Sequence, residues 1–561
     1  MPMSKELNLV FNGLVFLDKR EFVAVILIWA LATHLYFRKY TFAPPNVFCT
    51  LGYLLVCPAL LSIPFIHSFH SPWLAVFASF LSSYSSLLAI TILYRISPFH
   101  PLSKFPGPAL ARVSKFWALR NAASGKQHIT FKSLHDTYGP VVRVGPNELS
   151  IVNVEAIPSI FGDGMGKGHL WEARRFSTEP LAISSIREPQ KHAQRRAVWN
   201  KAFSSTALKE YDPLLIHRVQ QLVECLEDNA NVEIDLTYWF NCYTFDFMGD
   251  MMFGGGFELM RDGDKDGLKE FMGSGLRNIA LLHTIPWAAR ILWKIPSVAG
   301  RATRLREWSF AYAERRKESG SKVKDVIHHL MNEDSKEGYA PEDIVTAESL
   351  VGIVAGSDST ASVLSGIFYY LITNRSARQR LQEEIDTTIL PGGDPFDAAT
   401  LAAMPYLNAV INEVLRLQPP LPIALQRAVL PNTGGRQVVS DFIPEGTAIN
   451  LPPYVIHRDP RYFSPSPNSF IPERWLGQDN KFHDSKYYTD SNAFIPFAGG
   501  FANCVGKNVA IRNIRMVVTI LMQRFDMRIA EGYNPKRWEE EMEEYFVLKI
   551  GKLPVVVSAK A

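Results

Sequence analysis

Cysteine is scarce in this 561-residue chain, and none of the five (Cys49, Cys57, Cys225, Cys242 and Cys504) stands in a CxxC pair. An odd number at scattered positions gives no evident disulfide framework, and the missing CxxC argues against a structural zinc site. Charge of one sign is scarce too: 59 Lys and Arg against 55 Asp and Glu leave a formal net charge of +4. That is too little for a nucleic-acid binder driven by phosphate neutralisation, and neither zinc-finger spacing nor a Walker-type loop is present. Apolar residues, by contrast, make up 47% of the chain, with 35 Phe. Such a composition excludes a disordered or fibrous protein, and the length leaves room for a large core plus an appendage. Unpaired, scattered cysteines fit a main body in reducing, cytosolic surroundings.

Three apolar runs fill the first hundred residues. Phe22 to Phe37 is uncharged but short, Val47 to Ile66 contains Pro58 and Pro64, and Trp73 to Tyr94 is uncharged throughout. A membrane-crossing helix needs about 20 apolar residues, so residues 1–96 read as an anchor region with up to three transmembrane helices. A single span at Trp73–Tyr94, with the earlier runs lying on the membrane, is the alternative. A cleavable signal peptide ending near Ala30-Leu31-Ala32 is disfavoured, because long apolar runs follow it. Arg38 and Lys39 follow the first run and Arg95 and Lys104 the third, while none lies between the second and third. With three spans both basic segments face the cytosol, together with the body, although Lys19 and Arg20 then lie on the other side. Residues 97–108, carrying four prolines, read as a stiff hinge.

The body, 109–561, reads as mainly α with small β-sheets. Ala109 to Tyr138 is helical, Val141 to Ile151 a hairpin, and Gly162 to Pro189 a loop over a site. Lys191 to Phe203 is a basic amphipathic helix with His192 and Arg196 on one face. That face is either simply solvated or a grip on anionic carboxylates. Asp235 to Phe253 and Gly267 to Arg315 are further helical stretches. Glu348 to Ile372 is apolar nearly all round, and Asp358 is the only charge between Leu350 and Ile372. A fourth membrane span is one reading; its glycines, serines and Asp358 favour a buried central helix instead. Pro405 to Leu417 carries Glu413 and Arg416 at i,i+3, a surface pair or, given the apolar residues around it, a buried one. Strand signals at Arg427–Leu430 and Gln437–Val439 precede a long coil through Pro472 to Trp475.

That coil ends at Cys504, with Gly499 and Gly500 before it and Gly506 after it, ahead of another helical pattern. Glycines permit tight turns and close approach, and a thiolate at a helix N-terminus is favoured by the exposed N–H groups. A lone cysteine is most often buried and inert. The functional reading is a soft ligand for haem iron.

Taken in order, these segments closely resemble the cytochrome P-450 superfamily, from Phe105 to about Val557. Phe497, Gly500, Cys504 and Gly506 match its haem-binding signature, Ala355 to Thr360 its oxygen-activation helix, and Glu413 and Arg416 its Glu-x-x-Arg pair, which Arg474 completes. His192 and Arg196 are similar to its propionate-binding helix, and Arg427 falls where a further propionate contact is usual. The stretch from His100 to Pro108 is similar to the hinge of many fungal members. The resemblance implies the P-450 fold behind a membrane anchor, and haem b with Cys504 as axial ligand. It further implies proton relay by Asp358 and Ser359 or Thr360, and a pocket near Val351, Ala355, Leu421, Ile423, Ala424, Leu425 and Phe546. Two positions depart from the pattern. Ala502 stands where Arg or His usually contacts a propionate, with His192, Arg196 and Arg427 expected to compensate. Ser359 stands where the oxygen-handling Thr is usual, with Thr360 directly after it.

The implied activity is insertion of one oxygen atom of O2 into a hydrophobic small molecule, by analogy a terpenoid, alkaloid or polyketide of fungal secondary metabolism. No flavin or dinucleotide loop is visible, so electrons are expected from NADPH through a separate reductase. That partner would dock on a basic face including Arg195, Lys201 and Lys507. The expected location is the endoplasmic reticulum membrane, with the body facing the cytosol. The rivals are a haem-thiolate isomerase, dehydratase or peroxygenase needing no reductase, a membrane-anchored haem-binding sensor without turnover, and a tethered structural protein without haem.

Overall fold

Polar side chains in the N-terminal helices show how an apolar run folds back on itself. The computed structural model describes residues 19–40, 46–68, 71–175, 181–265, 267–320, 324–331, 342–423 and 425–560. These divide into two units, Met1–Lys115 with Arg143–Pro146, and Phe116–Val142 with Asn147–Ala561. In the first, helices α1 (Lys19–Lys39), α2 (Val47–Leu60), α3 (Ile63–Ser68) and α4 (Pro72–Ile96) pack around Ile26, Trp29, Ala30 and Leu61. Three stretches, 20–39, 48–66 and 72–96, are long and apolar enough to cross a membrane. Their outward faces carry Leu27, Ile28, Trp73, Phe77 and Leu93, as lipid contact requires.

Pro58 cannot donate to the Leu54 carbonyl four residues back, and Tyr84 Oη of α4 donates to it instead at 2.9 Å. Ser79 Oγ donates to the Pro58 carbonyl at 2.6 Å, and Thr33 with Tyr53 and His34 with Thr91 form further cross-helix pairs at 3.0 and 3.2 Å. In hydrocarbon, freed backbone groups must find such partners. The Pro-rich stretch 97–108 is folded rather than extended. Turns close at His100 and Ser103, and the Arg143 guanidinium bonds Arg95 O, His100 Nε2 and Pro146 O.

In the second unit, strands β1 (Glu148–Ile151), β2 (Met165–Lys167), β3 (Leu425–Val429) and β4 (Ala448–Leu451) form one sheet in the order β1-β4-β3-β2. β1 is parallel to β4, and the other pairings are antiparallel. β2 and the 3-10 turn His169–Arg174 thus give structure to a segment whose composition reads as loop. Helices α5 (Pro189–Ala202), α6 (Leu236–Phe253), α8 (Pro296–Ser319), α9 (Glu342–Thr373), α10 (Pro405–Leu417) and α11 (Lys507–Arg524) contribute to the main core, while α7 (Leu268–Thr284) joins smaller clusters through Ala280 and Leu282. A hairpin of β5 (Glu543–Tyr545) and β6 (Val547–Lys549) lies near the C-terminus.

α9 is the buried central helix. Its length and hydropathy would allow a membrane crossing, yet 61% of its most apolar window is buried, against 28, 22 and 11% for the three N-terminal candidates. It packs on α6, and a Cβ at Gly356 would collide with the Met248 side chain of that helix. The small residue therefore serves helix–helix contact and not, as its composition invites, only the face of a flat cofactor. Near the start of α9, buried Glu348 accepts from Arg195 Nη1 at 2.7 Å, Trp199 Nε1 at 3.1 Å and Ile183 N at 2.9 Å. No lipid could replace those donors.

The Glu413–Arg416–Arg474 network is wholly buried. Glu413 accepts from Arg416 at 2.8 Å, Arg474 at 3.1 Å, Trp475 Nε1 at 2.9 Å and Ile471 N at 2.8 Å. Burial alone would raise its carboxyl, but Arg416 and then Arg474 outweigh it and hold the group below the ordinary value. Arg416 also bonds the carbonyls of His457 and Ser469, at 2.7 and 3.1 Å. His457 extends the network. Its Nε2 accepts from Ile495 N at 3.0 Å, which puts the ring proton on Nδ1, facing Arg416 O at 3.2 Å. The pair on α10 thereby clamps the coil that leads to Cys504.

Removing the anion leaves two buried guanidinium groups uncompensated, so Glu413→Ala should cost about 3–5 kcal/mol, read as a lowered unfolding midpoint of the solubilised protein. Acid should act similarly. Burial holds His128 and His457 at about 3 and His135 at about 4, below the ordinary 6.5. The folded state then binds fewer protons than the unfolded one, so stability should fall as pH drops from 6.5 towards 3. A flat midpoint across that window would count against neutral buried imidazoles.

Candidate active site

Two left-handed residues, Ala498 (φ 57°) and Gly500 (φ 67°), shape the loop before Cys504. A Cβ at Gly500 would run into the Phe161 carbonyl, so only glycine fits there. Cys504 N donates to Phe497 O at 3.0 Å, closing the loop, and α11 starts three residues later at Lys507. Burial pushes the Cys504 thiol up, while the N–H groups of Gly506 and Lys507 and the charges of Arg196 and Lys507 pull it down. A bound metal cation would complete the stabilisation of a thiolate.

Cys504 faces a cavity of about 550 Å³. Its surface counts as exposed only because it opens into that space. α9 contributes Val351, Ala355, Ser359 and Thr360, and the strand-side segments Leu421, Leu425 and Phe546. Ser359 Oγ donates to Ala355 O at 2.6 Å, leaving its lone pairs available. Asp358 is half-buried but does not line the cavity, being turned about 100° around the helix from Ser359. Ile423 is buried away from it as well, because residues 421–423 bend before β3 begins. Ala424 lies outside the described residues.

The residues expected to bind carboxylates converge. His192, Arg196 and Arg427 all line the cavity, together with Phe497, Ala502 and Gly506. Gly500 does not line it and acts through the turn. His192 Nδ1 and Arg427 Nε are buried without a hydrogen-bond partner. Arg196 spends its fork on the cysteine loop, donating to Asn503 O at 2.6 Å and Asn503 Oδ1 at 2.7 Å. Sequence reasoning missed one member. Register sets Lys167 of β2 directly opposite Arg427 of β3, and like charges so placed repel. Among the described residues, Lys167 Nζ donates to the carbonyls of Ile183 and Ser184, at 2.5 and 3.1 Å, and lies 5.4 Å from the Trp171 ring centre. Burial, then the Arg427 charge, lowers its ammonium to about 7. Arg195, by contrast, is tied to Glu348 and only 19% exposed, which removes it from the expected basic docking face; Lys201 and Lys507 are exposed.

A thiol fed by helix N–H groups, and cations with orphaned nitrogens lacking a carboxylate, fit a group bearing a soft metal ion and two carboxylates. Haem is such a group. The cytochrome P450 family profile matches residues 106–556. The chain belongs to the cytochrome P450 family. It is 34% identical to cytochrome P450 67 of Uromyces fabae over 83% of this chain and 87% of that protein. Over 85% and 86% of the two chains it is 32% identical to cytochrome P450 monooxygenase nodW of Hypoxylon pulicicidum. It is also 32% identical to tryprostatin B 6-hydroxylase of Aspergillus fumigatus, over 84% and 83%. This P450 is therefore an oxygen-incorporating oxidoreductase that uses haem with a cysteine thiolate, a redox partner, O2 and a small-molecule substrate.

Lys167 would hold a haem carboxylate where Ala502 cannot, by a charge-assisted contact worth about 1.5–3 kcal/mol. Lys167→Met should therefore speed haem loss to an excess of a haem-scavenging protein by roughly ten- to a hundredfold. The haem-free protein should lose no stability, since the variant relieves the repulsion with Arg427. Unchanged haem loss would exclude Lys167 from the set.

Proposed function

We propose that this P450 inserts one atom of O2 into a hydrophobic small molecule of fungal secondary metabolism, such as a terpenoid, alkaloid or polyketide intermediate. The other oxygen atom leaves as water, with two electrons from NADPH delivered by a separate membrane-bound reductase. The observation that carries this reading is the largely apolar cavity joining Cys504 to the α9 face of Val351, Ala355 and Ser359. Its apolar walls exclude water and favour an apolar ligand, with few polar groups to orient it. Haem held by the Cys504 thiolate would supply the oxygen activation.

The protein's own part is positioning and proton handling. Ser359 and Thr360 line the cavity wall, and Ser359, its proton on Ala355 O, is set to accept a hydrogen bond; it would pass a proton on by turning its hydroxyl from that carbonyl into the cavity. Asp358 would act only through a neighbour or water. Exposed Lys201 and Lys507 suit an acidic reductase surface. Three spans, with Arg38, Lys39, Arg95 and Lys104 on one side, favour an endoplasmic reticulum protein with its catalytic unit in the cytosol.

Turnover of a candidate substrate should require NADPH, the reductase and oxygen. Equal product without oxygen would replace this reading with an isomerase or dehydratase, and product from peroxide alone with a peroxygenase. The reduced protein should give a thiolate-type spectrum with carbon monoxide that Cys504→Ser abolishes. Ser359→Ala should keep that spectrum but yield less product per NADPH consumed; unchanged coupling would assign proton handling to Thr360 or to water.

A further inference from the structure

The charged residues lining the cavity are all basic: Lys167, Arg174, Arg196, Arg306 and Arg427, with neither Asp nor Glu among the lining residues. Ferric iron, porphyrin and thiolate sum to zero charge, so the two haem carboxylates would balance two of the five. Lys167, Arg196 and Arg427 lie with His192 close enough for their charges to act on one another. Arg174 also acts on Lys167, with which it shares the Trp171 ring, but its guanidinium lies nearest Phe546. It ends the 3-10 turn that follows β2, and its guanidinium lies 3.8 Å from the Phe546 ring centre and 5.0 Å from that of Trp171. Phe546, at a left-handed φ of 76° between β5 and β6, also packs edge-on against Trp171 and His283.

The bonding of Arg174 is incomplete. Its Nε donates to His283 Nε2 at 3.0 Å, and its two terminal nitrogens bond nothing among the described residues. Burial lowers the guanidinium to about 9, with no negative charge to offset it. His283 adds no charge of either sign, because burial and the Arg174 charge keep its ring neutral. Nearby Glu172 is taken by Arg175 at 3.2 Å and Arg187 at 2.9 Å. A planar donor fork thus lies over the Phe546 ring and beside Trp171, bonded to a neutral imidazole and open to the cavity. Guanidinium groups in that state bind carboxylates in a paired, directional way.

We propose that Arg174 is a specificity-determining residue that binds a carboxylate on the substrate, whose apolar or aromatic frame packs against Phe546 and Trp171. This rests on the monooxygenase reading, since it assigns the same cavity to a substrate. An acid anchored there would present its far, unactivated carbons to the reacting centre, so the product would be a hydroxy acid.

The test uses the full-length holoenzyme in detergent with three probe pairs: 2-naphthylacetic, 4-phenylbutyric and dodecanoic acids, each beside its methyl ester. Affinity is read by calorimetry and by the haem spin-state shift near neutral pH. The acids should bind at least about tenfold more tightly than the esters, as one charge-assisted contact predicts. Arg174→Gln should erase that preference, Arg174→Lys should retain part of it, and both should keep wild-type haem content. Acids binding no better than esters, or a preference that survives Arg174→Gln, would overturn the proposal. So would loss of haem in Arg174→Gln, which would make Arg174 a holder of the cofactor. A thiolate-type carbon monoxide spectrum in the same samples keeps these outcomes distinct from failure of the monooxygenase reading itself.

Discussion

Positive charge around a cavity that no carboxylate lines is the constraint on which the site depends. Lys167 and Arg427 face each other across two strands, with Arg196 and the unpartnered His192 beside the same space. Left alone, such a cluster opposes folding, because burial penalises each cation and the cations repel one another. A ligand bearing two carboxylates converts the penalty into binding energy. The cysteine loop follows the same logic with the sign reversed: burial holds the Cys504 thiol above its ordinary value although the N–H groups of Gly506 and Lys507 and the nearby cations pull it down, so a bound metal cation would complete the thiolate. Cofactor and protein complete each other's electrostatics.

Holding that arrangement in place falls to groups far from the chemistry. Glu413 joins two guanidinium groups, an indole and a backbone N–H in a dry interior, and Arg416 passes the constraint to the carbonyls of His457 and Ser469. His457 then reaches Ile495 at the start of the cysteine loop. A buried ion network of this kind adds little net stability against apolar residues of the same volume, but it permits few alternative arrangements of a long coil. Here the coil between Arg474 and Cys504 has little regular structure to fix it, and the network supplies the register instead.

The two apolar classes of helix in the chain are separated by what their polar atoms can find. α9 and α4 have similar composition, yet α9 carries Glu348 and three glycines whose partners lie on α5, α6 and α10. In α2 and α4 the polar groups pair within the N-terminal unit, and the large side chains face outwards. Hydropathy alone treats these helices alike; hydrogen-bond partners do not.

Much of the protein was legible in the residues themselves. The run from Phe497 to Gly506, the i,i+3 pair on α10, the i,i+4 pair on α5 and the apolar anchor depend on local spacing. Local spacing is what helix periodicity, turn geometry and span length translate into structure. The bounds of α10 agree with Pro405 to Leu417 because a proline starts it and two prolines follow it. Lys167, Arg174 and His457 were not legible. Each acts through a partner some 40 to 260 residues away, set by strand register or by the packing of a coil. Asp358 and Ile423 looked suited to the cavity by position, but a rotation about one helix and a bend before one strand turned them from it. The sequence determined which chemistry the chain can carry. Which cations surround it, and which of them remains open to a substrate, was decided only when distant segments packed together, since charge balance in a cavity belongs to the whole enclosure.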